Sequence, residues 1–460
     1  MNYFDDTIAA ISTPVGQGGI GIVRLTGSGA APVADSVFRS RSGKRLAAAP
    51  SHRMIYGQVI NPADGKVLDE ALVTFMHAPN TYTREDVVEI SCHGGMVAVR
   101  SILEVIIRQG ARLADPGEFT KRAFLNGRLN LDQAEAVLDI INAKTAEGMR
   151  IANEQLRGDL TGKLAKIRTR LIETSACVEA CLDFPEDEIE HASKEDILGR
   201  LTETIAEIRR LSETFHEARF FREGLSIAIV GRPNVGKSSL LNALLQKDRA
   251  IVTALPGTTR DLIEDYLNIN GLPVRITDTA GIRNSDEVIE QEGIRRSLQA
   301  IGHADFIAAL FDGSEPLRQE DLDLLTIIRG KHAVAVISKA DLPQKINLEP
   351  VVAGEMPHLH LSAVTGKGVE ELKQHIFASH LGEWKEERDG VVVTNIRHKS
   401  ALDRAAGSLE NASALLSRGE PLELFSIEMR DALDRIGEIT GTITTDDILD
   451  AIFSSFCIGK

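Results

Sequence analysis

Lys237 and Ser238 close the run Gly231-Arg232-Pro233-Asn234-Val235-Gly236-Lys237-Ser238, whose residue types and spacing suit phosphate chemistry. Glycines at both ends let the backbone fold tightly, so that successive N–H groups converge on phosphate oxygens at a helix N-terminus. In such a loop the lysine reaches the β/γ-phosphates and the serine hydroxyl takes Mg²⁺. The flanks have the required character. Leu225 to Val230 is an apolar run that predicts a buried strand, and Leu240 to Leu245 predicts the first turns of a helix, with Ser239 at its start.

Further nucleotide elements follow in order. Gly257-Thr258-Thr259-Arg260-Asp261 offers a switch hydroxyl for Mg²⁺, and Asp278-Thr279-Ala280-Gly281 ends a strand as a Walker-B aspartate does. In Ser338-Lys339-Ala340-Asp341, the carboxylate of Asp341 can accept from the N1 and 2-amino hydrogens of guanine, while Lys339 lies along the base. Ser362-Ala363-Val364 completes the base pocket. Together these motifs resemble the TRAFAC class of GTPases. Two positions depart from that pattern. Ser338 replaces the usual asparagine, which keeps a hydrogen bond, loses a carboxamide and predicts weaker guanine preference. Ile282 stands where Ras-like proteins carry the water-orienting glutamine, so another group must act. Asn234 suits either a monovalent cation beside the β/γ bridge, in place of an arginine finger, or a loop-stabilising amide.

These motifs need a scaffold. From about Gly224 to Leu381 strand and helix alternate, with strand candidates Leu225–Val230, Val274–Thr277, Phe306–Phe311, Ala333–Ile337 and Leu359–Leu361. Alternation of this kind predicts a mostly parallel sheet with ligands at the carboxyl ends of its strands. Residues 1–125 read as an α/β unit. Thr7 to Ser12, Gly19 to Leu25, Ala71 to Met76 and Val87 to Cys92 are its strands, Ser28 a candidate helix cap, and Val97 to Arg108 a helix with apolar face Ile102, Val105 and Ile106. Long helical stripes follow: Ala134, Val137, Leu138 and Ile141; Leu164, Ile167 and Leu171; Leu201, Ile205 and Ile208. Helix resumes at His398 to Leu416 and Phe425 to Ile439. The expected organisation is a helical domain, 126–223 and 382–460, interrupted by a Ras-like G domain at 224–381.

The 460 residues carry a formal charge of −15 and 4% aromatic residues, which argues against general charge-driven or stacking-driven nucleic-acid binding. An RNA substrate would need a local basic patch, and Arg39, Arg41, Lys44 and Arg45 are the candidate. Four cysteines without zinc-ligand spacing fit a reducing compartment. No apolar run is long enough for a membrane helix, so a cytoplasmic protein is expected. Glu186-Asp187-Glu188 reads as a solvated loop before a cation site.

The whole chain resembles the tRNA-modification GTPase family MnmE/TrmE. The resemblance runs through Gly19-Ile20-Gly21-Ile22-Val23-Arg24, Val88-Glu89-Ile90 before His93-Gly94-Gly95, Pro116-Gly117-Glu118-Phe119-Thr120, Arg122 to Asn126, Asp183-Phe184-Pro185 and, most sharply, Phe456-Cys457-Ile458-Gly459-Lys460. It implies a folate-binding N-terminal domain that dimerises. It also implies work with an FAD-binding partner, MnmG, to place a carboxymethylaminomethyl or aminomethyl group on the wobble uridine of certain tRNAs, using a tetrahydrofolate carbon. It implies K⁺ ligands at Asn234, Thr253, Leu255 and Thr258, Mg²⁺ ligands at Ser238 and Thr259, and a water-orienting Glu290. Thr253-Ala254-Leu255-Pro256 joins the nucleotide-binding set on the same ground. Folate contacts fall on Arg24, Glu89, Arg128 and Lys460, the ligand being 5-formyl- or methylene-tetrahydrofolate. Two rival readings are an Era- or Der-like ribosome-assembly switch, which would carry a KH domain or a second P-loop after Leu381, and a folate-dependent transferase with a merely regulatory G domain.

Overall fold

The structure, a computed structural model, describes residues 6–14, 16–183, 193–248, 266–277, 298–382, 384 and 390–460. Two sheets and a helical body account for them.

The first sheet comprises β1 (Ile8–Ile11), β2 (Gly18–Thr26), β3 (Phe38–Ser40), β4 (Arg53–Ile60), β5 (Val67–Met76), β6 (Val87–Gly94) and β7 (Arg112–Leu113), in the order β3-β4-β5-β6-β2-β1-β7. Alternation decides its faces. On β2, β5 and β6 the residues Val23, Leu25, Val73, Phe75, Val88 and Ile90 point to one side, where they pack against helices Ala30–Val37 and Met96–Arg108. The other face carries polar and part-exposed side chains, among them Arg24 and Glu89. The sequence reading missed β3, β4 and β7, which lie at or near the two sheet edges and carry weaker alternation. Ser28 does not cap the first helix. Gly29 takes the N-cap position, and its N–H donates to Thr7 Oγ1 at 2.9 Å.

The second sheet comprises β8 (Leu225–Val230), β9 (Tyr266–Ile269), β10 (Leu272–Thr277), β11 (Phe306–Asp312), β12 (Ala333–Ser338) and β13 (His358–His360), in the order β13-β12-β11-β8-β10-β9. All neighbours are parallel except the β9–β10 hairpin. Strands β8, β11 and β12 are buried at every residue, which explains their unbroken apolar runs. The hairpin strand β9 was not anticipated; its Asn268 and the Asn270-Gly271 turn dilute the apolar signal.

The helical body is assembled from both sides of this sheet domain. Leu164, Ile167 and Leu171 of helix Asp159–Asp183, with Leu201 and Ile208 of helix Lys194–Glu213, pack against Leu402, Ala405 and Leu409 of helix Ile396–Arg418 and Met429 and Ile436 of helix Leu422–Thr440. At the root of the insertion lies a buried ionic hub. Glu135, on helix Leu131–Asn142, accepts from Asn395 Nδ2 (3.0 Å), Arg397 Nε and Nη2 (3.0 and 2.7 Å) and His398 Nε2 (2.7 Å). Close by, Arg222 Nε donates to Asp139 at 2.8 Å. The residues at which the chain leaves for and returns from the second sheet are thus fixed to one helix. Burial pushes the Glu135 carboxyl up, but His398 and Arg397 outweigh it and bring it down to about 2.

Removing one partner of a buried ion pair leaves the other uncompensated, at a cost of about 3–5 kcal/mol. Glu135→Ala should lower the unfolding free energy of the helical body by that order, read from urea unfolding followed by helical circular dichroism. Because the folded pKa of Glu135 lies below its ordinary 4.5, the contribution of its charge is full above that pH and is lost as pH falls towards 2. The stability gap between the native chain and Glu135→Gln should therefore close with acidification. A gap that does not change with pH would show that the carboxylate charge is not what holds the hub.

Candidate functional site

Strand β8 ends at Val230, and the phosphate loop turns at once. Gly231 has φ 149°, Asn234 63° and Gly236 103°, all in the left-handed region. A Cβ at Gly231 would stand 2.5 Å from the Leu310 carbonyl oxygen, so only glycine passes this point. Val235 is buried and pins the loop to the core. Lys237, at the start of helix Lys237–Asp248, sends its ammonium back across the loop to the carbonyls of Gly231 (2.7 Å) and Arg232 (2.8 Å). Burial lowers its pKa. Asn234, Ser238 and Ser239 lie on the exposed rim.

Arg232 is a residue that motif reading passed over. Its Nε donates to both oxygens of buried Asp321 (3.0 and 2.9 Å) and its Nη2 to Glu315 (3.3 Å), tying the loop to helix Gln319–Ile328. The signal in the sequence was only an arginine where most residues would serve.

The loops that follow β12 and β13 stand beside it at the carboxyl ends of those strands. Ser338 is buried, and its hydroxyl lies 2.6 Å from the Val235 carbonyl and 3.0 Å from that of Phe311. A hydroxyl has one hydrogen, so it donates to one of these at a time, and both are backbone. Ser338 therefore ties the base loop to the phosphate loop. Lys339, at φ 55°, is fixed by a 2.5 Å bond from Nζ to Asp312 Oδ2. Burial raises the Asp312 carboxyl, yet Lys339 and Ser314 outweigh it and hold it below the ordinary range. Asp312 is a second functional candidate that motif reading missed. Asp341 is exposed and oriented by Ser362, whose Oγ donates to it at 2.5 Å. The Ala340 N–H bonds the Leu361 carbonyl at 3.1 Å, Ala363 is half-buried, and Val364 is exposed. Thr253, Ala254, Leu255, Pro256, Gly257, Thr258, Thr259, Asp278, Thr279, Ala280, Gly281, Ile282 and Glu290 lie outside the described residues.

A second constellation forms on the open face of the first sheet. Arg24 Nε donates to Glu89 Oε1 at 2.8 Å across the β2–β6 pair, and its Nη1 reaches the Gly459 carbonyl at 3.5 Å. The C-terminal tail runs into the sheet domain. Ile458 bridges Pro116, Ser12 Oγ donates to the Gly459 carbonyl (3.3 Å), and the Phe119 N–H donates to that of Lys460 (3.1 Å). Gly459 sits at φ 95°, with space for a Cβ closed by the Ile11 carbonyl 2.4 Å away. The Lys460 ammonium is half-buried beside Arg24, Glu89 and Cys457; burial first, then the Arg24 charge, lower its pKa. The Arg128 guanidinium lies 4.7 Å from the centre of the Tyr82 ring, and that of Arg24 lies 6.0 Å from the same ring. So Arg24, Glu89, Arg128 and Lys460 are brought together around Tyr82, a residue the sequence reading did not single out. Cys457 is exposed, Cys92 buried and Cys177 in between.

The combination of cations, one carboxylate and an aromatic wall suits a ligand with a hydrogen-bonding ring at one end and carboxylates at the other. Among the described residues no helix is long and apolar enough to cross a membrane.

Comparison with known proteins agrees with this architecture. The family model for the N-terminus of the GTP-binding protein TrmE matches residues 7–128, and that for the MnmE helical domain matches residues 131–457. A tRNA modification GTPase MnmE from Alkaliphilus oremlandii is 46% identical over 460 residues, all of both chains. Those of Geobacillus kaustophilus and Geobacter sulfurreducens are also 46% identical, over 99% and 100% of this chain and of their own lengths. Among solved structures, GDP·AlF4⁻-bound Aquifex aeolicus Era Y63A is 28% identical over 40% of this chain and 66% of its own, with a TM-score of 0.27. With models that together span almost its entire length, and relatives that match it from end to end, the chain belongs to the tRNA modification GTPase MnmE family and is a GTP hydrolase of tRNA modification.

Proposed function

We propose that this chain is a potassium-activated GTPase whose turnover drives addition of a carboxymethylaminomethyl or aminomethyl group to C5 of the wobble uridine of certain tRNAs. The one-carbon unit comes from a tetrahydrofolate, and the FAD-binding partner MnmG shares the reaction. One observation carries the reading: Arg24 and Gly459, 435 residues apart, meet in one half-buried pocket with Glu89 and Lys460. Glu89 accepts from pterin ring N–H groups, held in place by Arg24, while Lys460 and Arg128 receive the carboxylates of the folate tail. Tyr82 supplies an apolar wall.

In the G domain, Lys237 exchanges its carbonyl partners for phosphate oxygens, Asp341 reads guanine, and Glu290 aligns the attacking water. Asn234, Thr253, the Leu255 carbonyl and Thr258 form a set of neutral oxygen donors suited to a monovalent cation, and Ser238 and Thr259 offer hydroxyls to Mg²⁺. Bound K⁺ supplies the positive charge near the β/γ bridge that an arginine finger supplies elsewhere. Two copies associate through the N-terminal domain. Its exposed apolar residues, Ile20, Met96 and Val97, are candidates for that contact. The cytoplasm holds the tRNA substrates and keeps Cys92, Cys177 and Cys457 as free thiols.

GTP hydrolysis should be at least tenfold faster in K⁺ than in Na⁺ at equal ionic strength; equal rates would remove the cation from the mechanism. The bonds of Ser338 to backbone carbonyls make it a positioning residue. Ser338→Ala should weaken GTP and ITP equally, by about fivefold to tenfold, leaving their affinity ratio unchanged, and Ser338→Thr should restore both. Asp341→Ala should collapse the GTP:ITP ratio, since inosine lacks the 2-amino group. A change in that ratio on Ser338→Ala would return base reading to Ser338.

A further inference from the structure

The charge of the chain is strongly negative, yet one edge of the N-terminal sheet is not. Arg39, Arg41, Lys44 and Arg45 lie within seven residues that contain no carboxylate, and all four are exposed. Among the described residues none of them has a carboxylate ion pair. Elsewhere in the same domain Arg24, Arg112 and Arg122 each have one. The acids nearby are engaged otherwise. Asp35 accepts the Leu46 N–H at 2.7 Å, and Glu70 takes the Tyr56 hydroxyl. The Arg41 guanidinium lies 5.9 Å from the centre of the Tyr56 ring. Four like charges held together without counter-charges repel one another, and a chain of net charge −15 does not need them for solubility.

Register places this edge relative to the pocket. Arg39 pairs with Gln58, and Gln58 with Glu70; Met54 pairs with Thr74, Thr74 with Glu89, and Glu89 with Arg24. Directly paired side chains share a face, so Arg39 and Arg24 lie on the same open face, four strands apart. At about 4.8 Å per strand across the sheet and about 3.3 Å per residue over the four-residue offset from Gln58 to Met54, this is roughly 23 Å, on the order of seven nucleotides at the ~3.4 Å rise of a stacked strand. In the connection from β3 to β4, Gly43 turns at φ 71° and its N–H bonds the Ser40 carbonyl at 3.0 Å, with Lys44 and Arg45 exposed next to the turn.

We propose that the Arg39–Arg45 edge docks the phosphate backbone of the RNA substrate, so that the target base reaches the pocket at Arg24, Glu89 and Lys460 on the same face. The inference rests on the tRNA-modifying reading above. The acidic remainder of the surface repels RNA and the basic edge attracts it, which orients the encounter as well as strengthening it.

The test is binding of an unmodified tRNA transcript to the full chain by fluorescence anisotropy across a salt series. Arg41→Glu/Lys44→Glu should weaken tRNA at least tenfold and reduce the slope of log affinity against log salt by about 1.5 to 2, as expected for two phosphate contacts. GTP turnover and 5-formyl-tetrahydrofolate binding should stay unchanged. Reversal of Arg329 and Lys331, equally exposed on the G domain, is the comparison. Equal losses in both variants, or no loss in the first, would overturn the docking edge while leaving the tRNA reading in place. Failure of the unaltered chain to bind tRNA at any salt would overturn the docking edge as well, and would assign tRNA capture to the partner.

Discussion

The insertion of the C-terminal tail into the N-terminal sheet domain is the contact on which the rest depends. It brings Lys460 beside Arg24 and Glu89, through Gly459 in a conformation and a space open to glycine alone. The helix before the tail, Asp446–Phe453, reaches this position by packing Leu449 and Phe453, with Phe456, against Leu131 and Ala134. Leu131 and Ala134 lie on helix Leu131–Asn142, which also carries Glu135. One short helix therefore has the tail on one side and the ionic hub of the insertion root on another.

This arrangement gives a physical frame for coupling between the two sites. Arg222 and the return segment at Asn395 to His398, which flank the second sheet, both bear on helix Leu131–Asn142 through buried, charge-assisted bonds. Such bonds resist gradual deformation, because a partly separated buried ion pair costs more than either the made or the solvated state. On the nucleotide side a similar economy holds. Arg232–Asp321, Ser338–Val235 and Lys339–Asp312 link the phosphate loop, the base loop and the strand ends into one unit.

Much of this was legible in the sequence, for reasons that differ by element. Fully buried parallel strands announce themselves as unbroken apolar runs, so β8, β11 and β12 were placed within a residue or two. Long helices with one buried stripe were equally clear at Leu164, Ile167 and Leu171. Edge and hairpin strands such as β3 and β9 have only weak alternation and went unseen. The phosphate and base loops were legible because their chemistry requires fixed types at fixed spacing. The pocket at Arg24, Glu89, Arg128 and Lys460 was reached only through family resemblance, since nothing local marks residues so far apart as neighbours. Tyr82, Arg232 and Asp312 act through contacts between distant segments and were missed for that reason. Ser338 was read as a base contact with weaker guanine preference; its hydroxyl also meets two backbone carbonyls, contacts between distant segments that no motif announces.

The most direct measurement is calorimetric binding of 5-formyl-tetrahydrofolate to Gly459→Ala. A methyl group there meets the Ile11 carbonyl at 2.4 Å and strains a left-handed backbone, so the tail must leave its seat. The account predicts at least a tenfold loss of folate affinity with GTP turnover intact. Native folate affinity in this variant would contradict the claim that the docked tail builds the pocket.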